Sequence, residues 1–180
     1  MKNTILVNLF AAPGSGKSTM TAGIFEKLKW QGVDCEMALE FAKDLVWECR
    51  DETFKDQNYI FAKQLHRIFR LNGKVDVVIT DSPLLFSIFY DEINGKLLPI
   101  SFRKYALDCH CMFNNLNYFI EREKPYNPNG RNQSEEESIK IANYLMYKLQ
   151  CDWGVLYKHH KGNKDSVDFI VKDILNKLNA

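Results

Sequence analysis

Apolar and polar positions along the chain switch repeatedly between two periods. Thr4-Ile5-Leu6-Val7-Asn8-Leu9-Phe10 is a short, mostly apolar run with branched side chains near its start, the pattern of a strand buried in a parallel sheet. Past Gly16 the pattern changes, and Met20, Ile24 and Leu28 recur every fourth residue, the spacing of one helical face. Gln31-Gly32 stops that helix, and residues 33–39 read as a second strand with Glu40 at its carboxyl end. Helices are predicted over 41–50 and 58–71; the second carries Phe61, Leu65, Ile68 and Phe69 on one side and ends at Asn72-Gly73. A third strand over 75–81 is almost continuously apolar and closes on Asp81, followed by Ser82-Pro83. Further on, helical patterns at 102–113, 134–149 and 165–178 alternate with strand patterns at 117–120 and 154–157, and a Pro/Asn/Gly loop covers 124–132. This alternation predicts an α/β fold: a parallel five-stranded sheet with helices on both faces and right-handed crossovers. Ligands of such sheets gather at the carboxyl ends of the strands, where the loop after the first strand, Glu40 and Asp81 all fall.

That loop carries the most specific chemistry. "NLFAAPGSGKSTM" matches G-x-x-x-x-G-K-[S/T] with one departure, Ala11 at the first glycine position. A strictly positive φ at Ala11 would be costly, and alanine is small enough for the turn to survive otherwise. A loop between a buried strand and a helix start, built of Ala12, Pro13, Gly14, Ser15 and Gly16, presents bare backbone N–H groups at the positive end of a helix dipole. The N–H groups from Gly14 to Thr19 are expected to cradle phosphates, with Lys17 neutralising the β/γ charge of ATP and the Ser18 hydroxyl ligating Mg²⁺. A glycine-rich turn that merely starts a helix would not need strand, loop, Gly-Lys-Ser-Thr and helix in this order.

Two carboxylates are candidate partners. Asp81 has the position of the aspartate that completes a magnesium site, or acts in acid–base chemistry, and Asp-Ser-Pro is also a good helix start. The residue after it is Ser82, where a water-activating engine would commonly carry a second carboxylate, so transfer to a bound acceptor is the expected reaction. Glu40 is placed to take a proton from an acceptor hydroxyl; the alternative is a solvated glutamate favourable to a helix dipole. Asp44 and Glu48, one and two turns on, are weaker rivals, and whether Glu40 or Asp81 is the general base is left open by spacing alone.

Composition narrows the setting. A chain of 180 residues reads as a single domain over 1–180, with 46% hydrophobic and 26% charged residues, hence globular. With 24 basic and 23 acidic side chains the net charge is +1, so a strongly basic nucleic-acid surface is not implied. No apolar run approaches membrane-spanning length, which leads to the expectation of a cytoplasmic protein without membrane partners. The five cysteines read as reduced thiols. Cys109-His110-Cys111 lacks a second ligand pair of zinc spacing, and His159-His160 is expected in a surface loop.

A mobile cover over the transferring phosphate is expected at 122–134, where Arg122 ends a strand and Arg131 sits in a Pro/Asn/Gly-rich turn before Ser134 and Glu137, a capping box. Arg131 is the better candidate to meet transition-state charge; a solvated surface arginine is the alternative. The layout resembles the P-loop kinases of nucleosides and nucleotides, and is similar to nicotinamide-riboside-kinase-like domains in Glu40 of "LEFAKDLV", Asp81 of "VVITDSPL" and Gly130-Arg131. The resemblance implies that the segment 41–72 forms the acceptor pocket, with Phe41, Trp47, Tyr59, Gln64 and Arg67 as candidates to stack on and hydrogen-bond a ring; Phe41 and Trp47 could equally be core.

The leading expectation is therefore an ATP-dependent kinase of a nucleoside, nucleotide or related ribosyl compound. Lys63, Arg67, Arg70 and Lys74 form a basic stripe that leaves open a kinase of nucleic acid, although a solvated helix face gives the same stripe. A nucleotide switch or ATPase subunit is the third reading. It lacks a second carboxylate after Asp81 and a guanine-reading Asn-Lys-x-Asp.

Overall fold

The computed structural model describes residues 2–95, 98–127 and 134–179. Five strands, β1 (Ile5–Phe10), β2 (Cys35–Met37), β3 (Val77–Thr80), β4 (Asn114–Glu121) and β5 (Lys158–Lys161), form one sheet in the order β2-β3-β1-β4-β5. Every pairing is parallel, with β1 central: Ile5 stands opposite Val77 of β3 on one side and Asn114 of β4 on the other. The expected five-stranded parallel α/β fold is the one observed.

Alternation along β1 divides the interior in two. Leu6 and Phe10 enter a core with Phe61, Phe89, Phe119 and Leu145; Ile5, Val7 and Leu9 enter another with Ile24, Leu28, Ile170 and Ile174. The second core is covered by α1 (Lys17–Trp30) and α8 (Lys164–Leu178), which pack together. The first lies under α4 (Gln57–Phe69), α5 (Phe86–Ile93), α6 (Ile100–Cys111) and α7 (Glu135–Tyr147). Asn8 is the polar exception within β1. It is fully buried, and its side-chain amide donates to the side-chain Oδ1 atoms of Asn115 and Asn117 on the neighbouring strand, at 2.8 and 3.0 Å.

Several elements differ from the sequence pattern by more than a residue or two at their ends. The helix expected over 41–50 is shorter, α2 (Ala42–Trp47), and a further short helix, α3 (Asp51–Lys55), follows Cys49, whose φ of 54° breaks the first. α5 has no counterpart in the predicted elements because its eight residues are too few to show a sustained period; Phe86 to Phe89 are buried. The last strand is not 154–157 but the polar Lys158–Lys161, so His159 and His160 are strand residues rather than loop residues. As an edge strand β5 needs only the backbone ladder to β4; His159 packs on Phe119 and His160 on Tyr118 and Phe169. Residues before it are led there by a π-helical turn, Lys148–Asp152, that extends α7.

Cys35 and Cys109 are buried, and all five cysteines are free thiols. Among the described residues no group of three His, Cys, Asp or Glu side chains converges as a metal site, and no helix is long and apolar enough to cross a membrane.

Candidate active site

The order β2-β3-β1 sets three carboxyl ends side by side, and the loop after each brings one part of the site. From β1 the chain passes through residues 11–16 directly into α1. Gly14 and Gly16 have φ of 82° and 88°, left-handed values that require glycine. Ala11 does not: among the described non-glycine residues Cys49 alone has a positive φ, and Ala11 is buried against the core without backbone strain. Gly16 caps α1 with no side-chain partner, and the first turn of α1 holds no acidic residue. The positive end of the helix is thus left to whatever binds in the loop.

Lys17 folds back over this loop, its ammonium donating to the carbonyls of Ala11 and Ala12 at 3.0 and 3.2 Å and lying 5.6 Å from the centre of the Phe86 ring. One turn of α1 presents Ser18 toward β3. Its hydroxyl donates to Asp81 Oδ2 at 2.8 Å, while Asp81 Oδ1 accepts the backbone N–H of Glu40 at 3.0 Å. Asp81, only 3% exposed, therefore ties the start of α1 to the loop that follows β2. A hydroxyl and a buried carboxylate are hard oxygen donors of the kind magnesium takes while keeping waters and phosphate oxygens as its remaining ligands, so Ser18 and Asp81 fit the ion expected there.

Glu40 lies three residues past the end of β2 and is half-buried. Burial is the main cause that raises its pKa, the nearby charge of Asp81 adds to it, and the Lys17 ammonium works in the opposite direction. The loop that carries it is held from behind. Gln64 is buried and spends its whole amide there, donating to Ala38 O and to Thr80 Oγ1, both at 3.2 Å, and accepting the Phe41 N–H at 3.2 Å. Arg67 donates to Leu39 O at 2.9 Å and to Asp44 at 2.6 Å, and its guanidinium stacks 5.2 Å from the Phe41 ring, which meets Tyr59 edge-on at 5.6 Å.

The residues expected to bind an acceptor thus divide. Phe41, Tyr59, Gln64 and Arg67 form one cluster that supports the Glu40 loop, whereas Trp47 is 73% exposed on α2 and joins none of these contacts. The basic stripe is also interrupted, since Arg67 is engaged and Lys63 lies over Tyr59. Arg122 pairs with Glu135 at 2.7 Å and stacks on Tyr126. Arg131 and Gly130 lie outside the described residues.

Two groups of residues at the site carry no sequence motif. Phe86 and Tyr90 are one turn apart on α5; their rings meet at 5.9 Å, and Phe86 also packs edge-on against Phe10 at the end of β1. The Tyr90 phenol has a raised pKa, first from burial and then from the charge of Glu40, which puts it within electrostatic reach of that carboxylate. Its hydroxyl has no hydrogen-bond partner among the described residues. The i, i+4 aromatic spacing after Asp81 was the available signal. The second group, Ser138 and Gly162, touches the loop from distant parts of the chain, and no local pattern marks it.

No family model matches the sequence, and no curated protein matches it. Among solved structures the chain is similar to a mutant of the APS kinase CysC of Mycobacterium tuberculosis, at 13% identity over 100% of both chains and a TM-score of 0.52. What the two share is the fold, α/β with a parallel five-stranded sheet in this chain. The likeness does not extend to the nicotinamide-riboside-kinase-like subtype.

Proposed function

We propose that the chain is an ATP-dependent, magnesium-requiring kinase that transfers the γ-phosphate to a hydroxyl of a nucleoside, nucleotide or related ribosyl compound. The observation that carries the reading is the double use of Asp81, whose two carboxylate oxygens take Ser18 of the phosphate loop and the backbone of Glu40. One buried side chain thereby sets a base of raised pKa beside a loop built for phosphate. The fold supports it, the neighbour of known structure being a kinase by name.

In this reading the loop N–H groups and Lys17 hold the β- and γ-phosphates and oppose their charge. Magnesium, held by Ser18 and Asp81, would supply charge neutralisation at the same phosphates. Glu40 accepts the proton of the acceptor hydroxyl as its oxygen bonds to the γ-phosphorus and the bond to the ADP oxygen breaks. Asp81 is given no such step, its place being between Ser18 and the backbone of Glu40, where it would hold the ion. Phe86 and Tyr90 wall the acceptor side, with the Tyr90 hydroxyl free to bond the acceptor next to Glu40. Ser82 in place of a second carboxylate favours a bound acceptor over water.

A polymer acceptor is less favoured, because Arg67 is held by Leu39 O and Asp44, which interrupts the stripe between the exposed Lys63 and the exposed Arg70 and Lys74. The test is incubation with γ-labelled ATP and a panel of nucleosides, nucleotides, oligonucleotides and modified duplex DNA, with Lys17→Ala as control. Label is expected on a small acceptor and lost by at least about 10²-fold in the variant. Hydrolysis of ATP with no label on any acceptor would refute the reading.

A further inference from the structure

Two carbonyls of the loop between β1 and α1 are held by elements far away in sequence. The hydroxyl of Ser138, on α7 and 2% exposed, donates to the Pro13 carbonyl at 2.7 Å across 125 residues. The Ser15 carbonyl rests on the Cα of Gly162, where an added Cβ would come within 2.5 Å of it. A peptide unit is planar, and in the trans form its C=O and the following N–H point to opposite sides. Holding the Pro13 carbonyl toward α7 therefore turns the Gly14 N–H away from α7, into the loop. The close fit of Gly162 against Ser15 does the same for the Gly16 N–H.

This matters because Gly14 and Gly16 are the residues that permit the peptide units beside them to rotate. A phosphate site made of backbone N–H groups is only as well formed as those peptide planes are fixed before the ligand arrives. α7 is a firm anchor for one of them. Its first turn is closed by the reciprocal capping box of Ser134 and Glu137, and Glu135 is paired with Arg122 at the end of β4.

We propose that Ser138 is a positioning residue of the phosphate loop, holding the Pro13 carbonyl so that the Gly14 N–H faces the phosphates of the bound nucleotide. The inference rests on the reading of that loop as the phosphate site. It adds to that site a residue of α7 that the phosphate-loop motif does not contain. Without the Ser138 hydroxyl, only a fraction of molecules has the Gly14 N–H aimed inward, and apparent affinity falls by that fraction.

Calorimetric binding of magnesium with inorganic triphosphate, compared between the intact chain and Ser138→Ala, tests this. One lost hydrogen bond to the loop predicts about three- to ten-fold weaker triphosphate binding. Ser138→Cys, a weaker donor of similar volume, is expected to fall between the two and supplies the measurement if the alanine variant does not fold. A merely structural serine would lower the melting temperature of the variants and leave triphosphate affinity at 25 °C unchanged, which overturns the proposal. Failure of the intact chain itself to bind triphosphate would overturn the phosphate-loop reading and the proposal with it, whereas binding by the intact chain with equal affinity in both variants removes the role of Ser138 alone.

Discussion

Gly162→Ala adds one methyl group at the point where the β5–α8 connection meets the loop between β1 and α1. Gly162 is buried and its backbone is not left-handed, so alanine is allowed there by conformation and excluded only by space. The new Cβ would lie 2.5 Å from Ser15 O, 3.3 Å from Glu121 O and 3.4 Å from Ile120 Cγ2. Two of these neighbours are backbone atoms, and Gly162 is itself tied to Glu121 O by its N–H at 2.7 Å, so it cannot retreat freely. Relief comes from the Ser15 peptide, which must move about 0.9 Å to reach ordinary contact. Overpacking of this kind costs about 1–3 kcal/mol of stability. The same shift displaces the Gly16 N–H, and a misplacement near 1 Å costs on the order of 10²-fold in transfer rate. Steady-state kinetics with varied ATP, together with a thermal melt, measure both effects. A variant with unchanged melting temperature and kcat/KM for ATP would show that the loop does not depend on the close fit at position 162.

Asp81→Asn and Glu40→Gln are expected to separate in a magnesium titration: the first needs more metal for half-maximal rate, and the second loses turnover at every metal concentration with ATP affinity nearly unchanged. Because the pKa of Glu40 is raised in the folded protein, kcat of the intact chain should fall on acidification at a pH above that of an ordinary carboxylate, a pH–rate profile being the check. The same shift has a sign in stability: the fold binds the Glu40 proton more tightly than the unfolded chain, so its contribution is present below the unfolded pKa and is lost as pH rises through the folded one. Glu40→Gln should accordingly melt higher than the intact chain at neutral pH, with the difference closing toward pH 4. Tyr90→Phe keeps the ring packing on Phe86 and removes the hydroxyl; KM for the acceptor should rise about ten-fold with KM for ATP unchanged, and equal acceptor kinetics would exclude a contact there.

Much of the architecture is legible in the one-dimensional pattern, because the features concerned are local. The loop between β1 and α1 needs consecutive residues of small size and left-handed freedom, and "AAPGSGKST" displays both; Gly14 and Gly16 take the left-handed values, and Ala11 has no positive φ. Strands buried on both faces read as apolar runs, so β1 and β3 are visible, as is Asp81 at the end of the latter. Elements that are very short or polar are not. α5 has eight residues, fewer than the window over which a helical period is read, and β5 is an edge strand that satisfies its backbone through β4 while its side chains stay polar. The order of the strands was beyond the pattern as well, and it is what sets Glu40, Asp81 and Ser18 together. Tertiary packing also adds contacts for Gln64 and Arg67, which the family resemblance offers as ligands of an acceptor and which in the fold bond the backbone around Glu40. Ser138 and Gly162 belong wholly to the folded chain. A contact across 125 residues leaves no local trace, since one hydroxyl or one missing methyl acquires meaning only when packing brings it against a particular carbonyl.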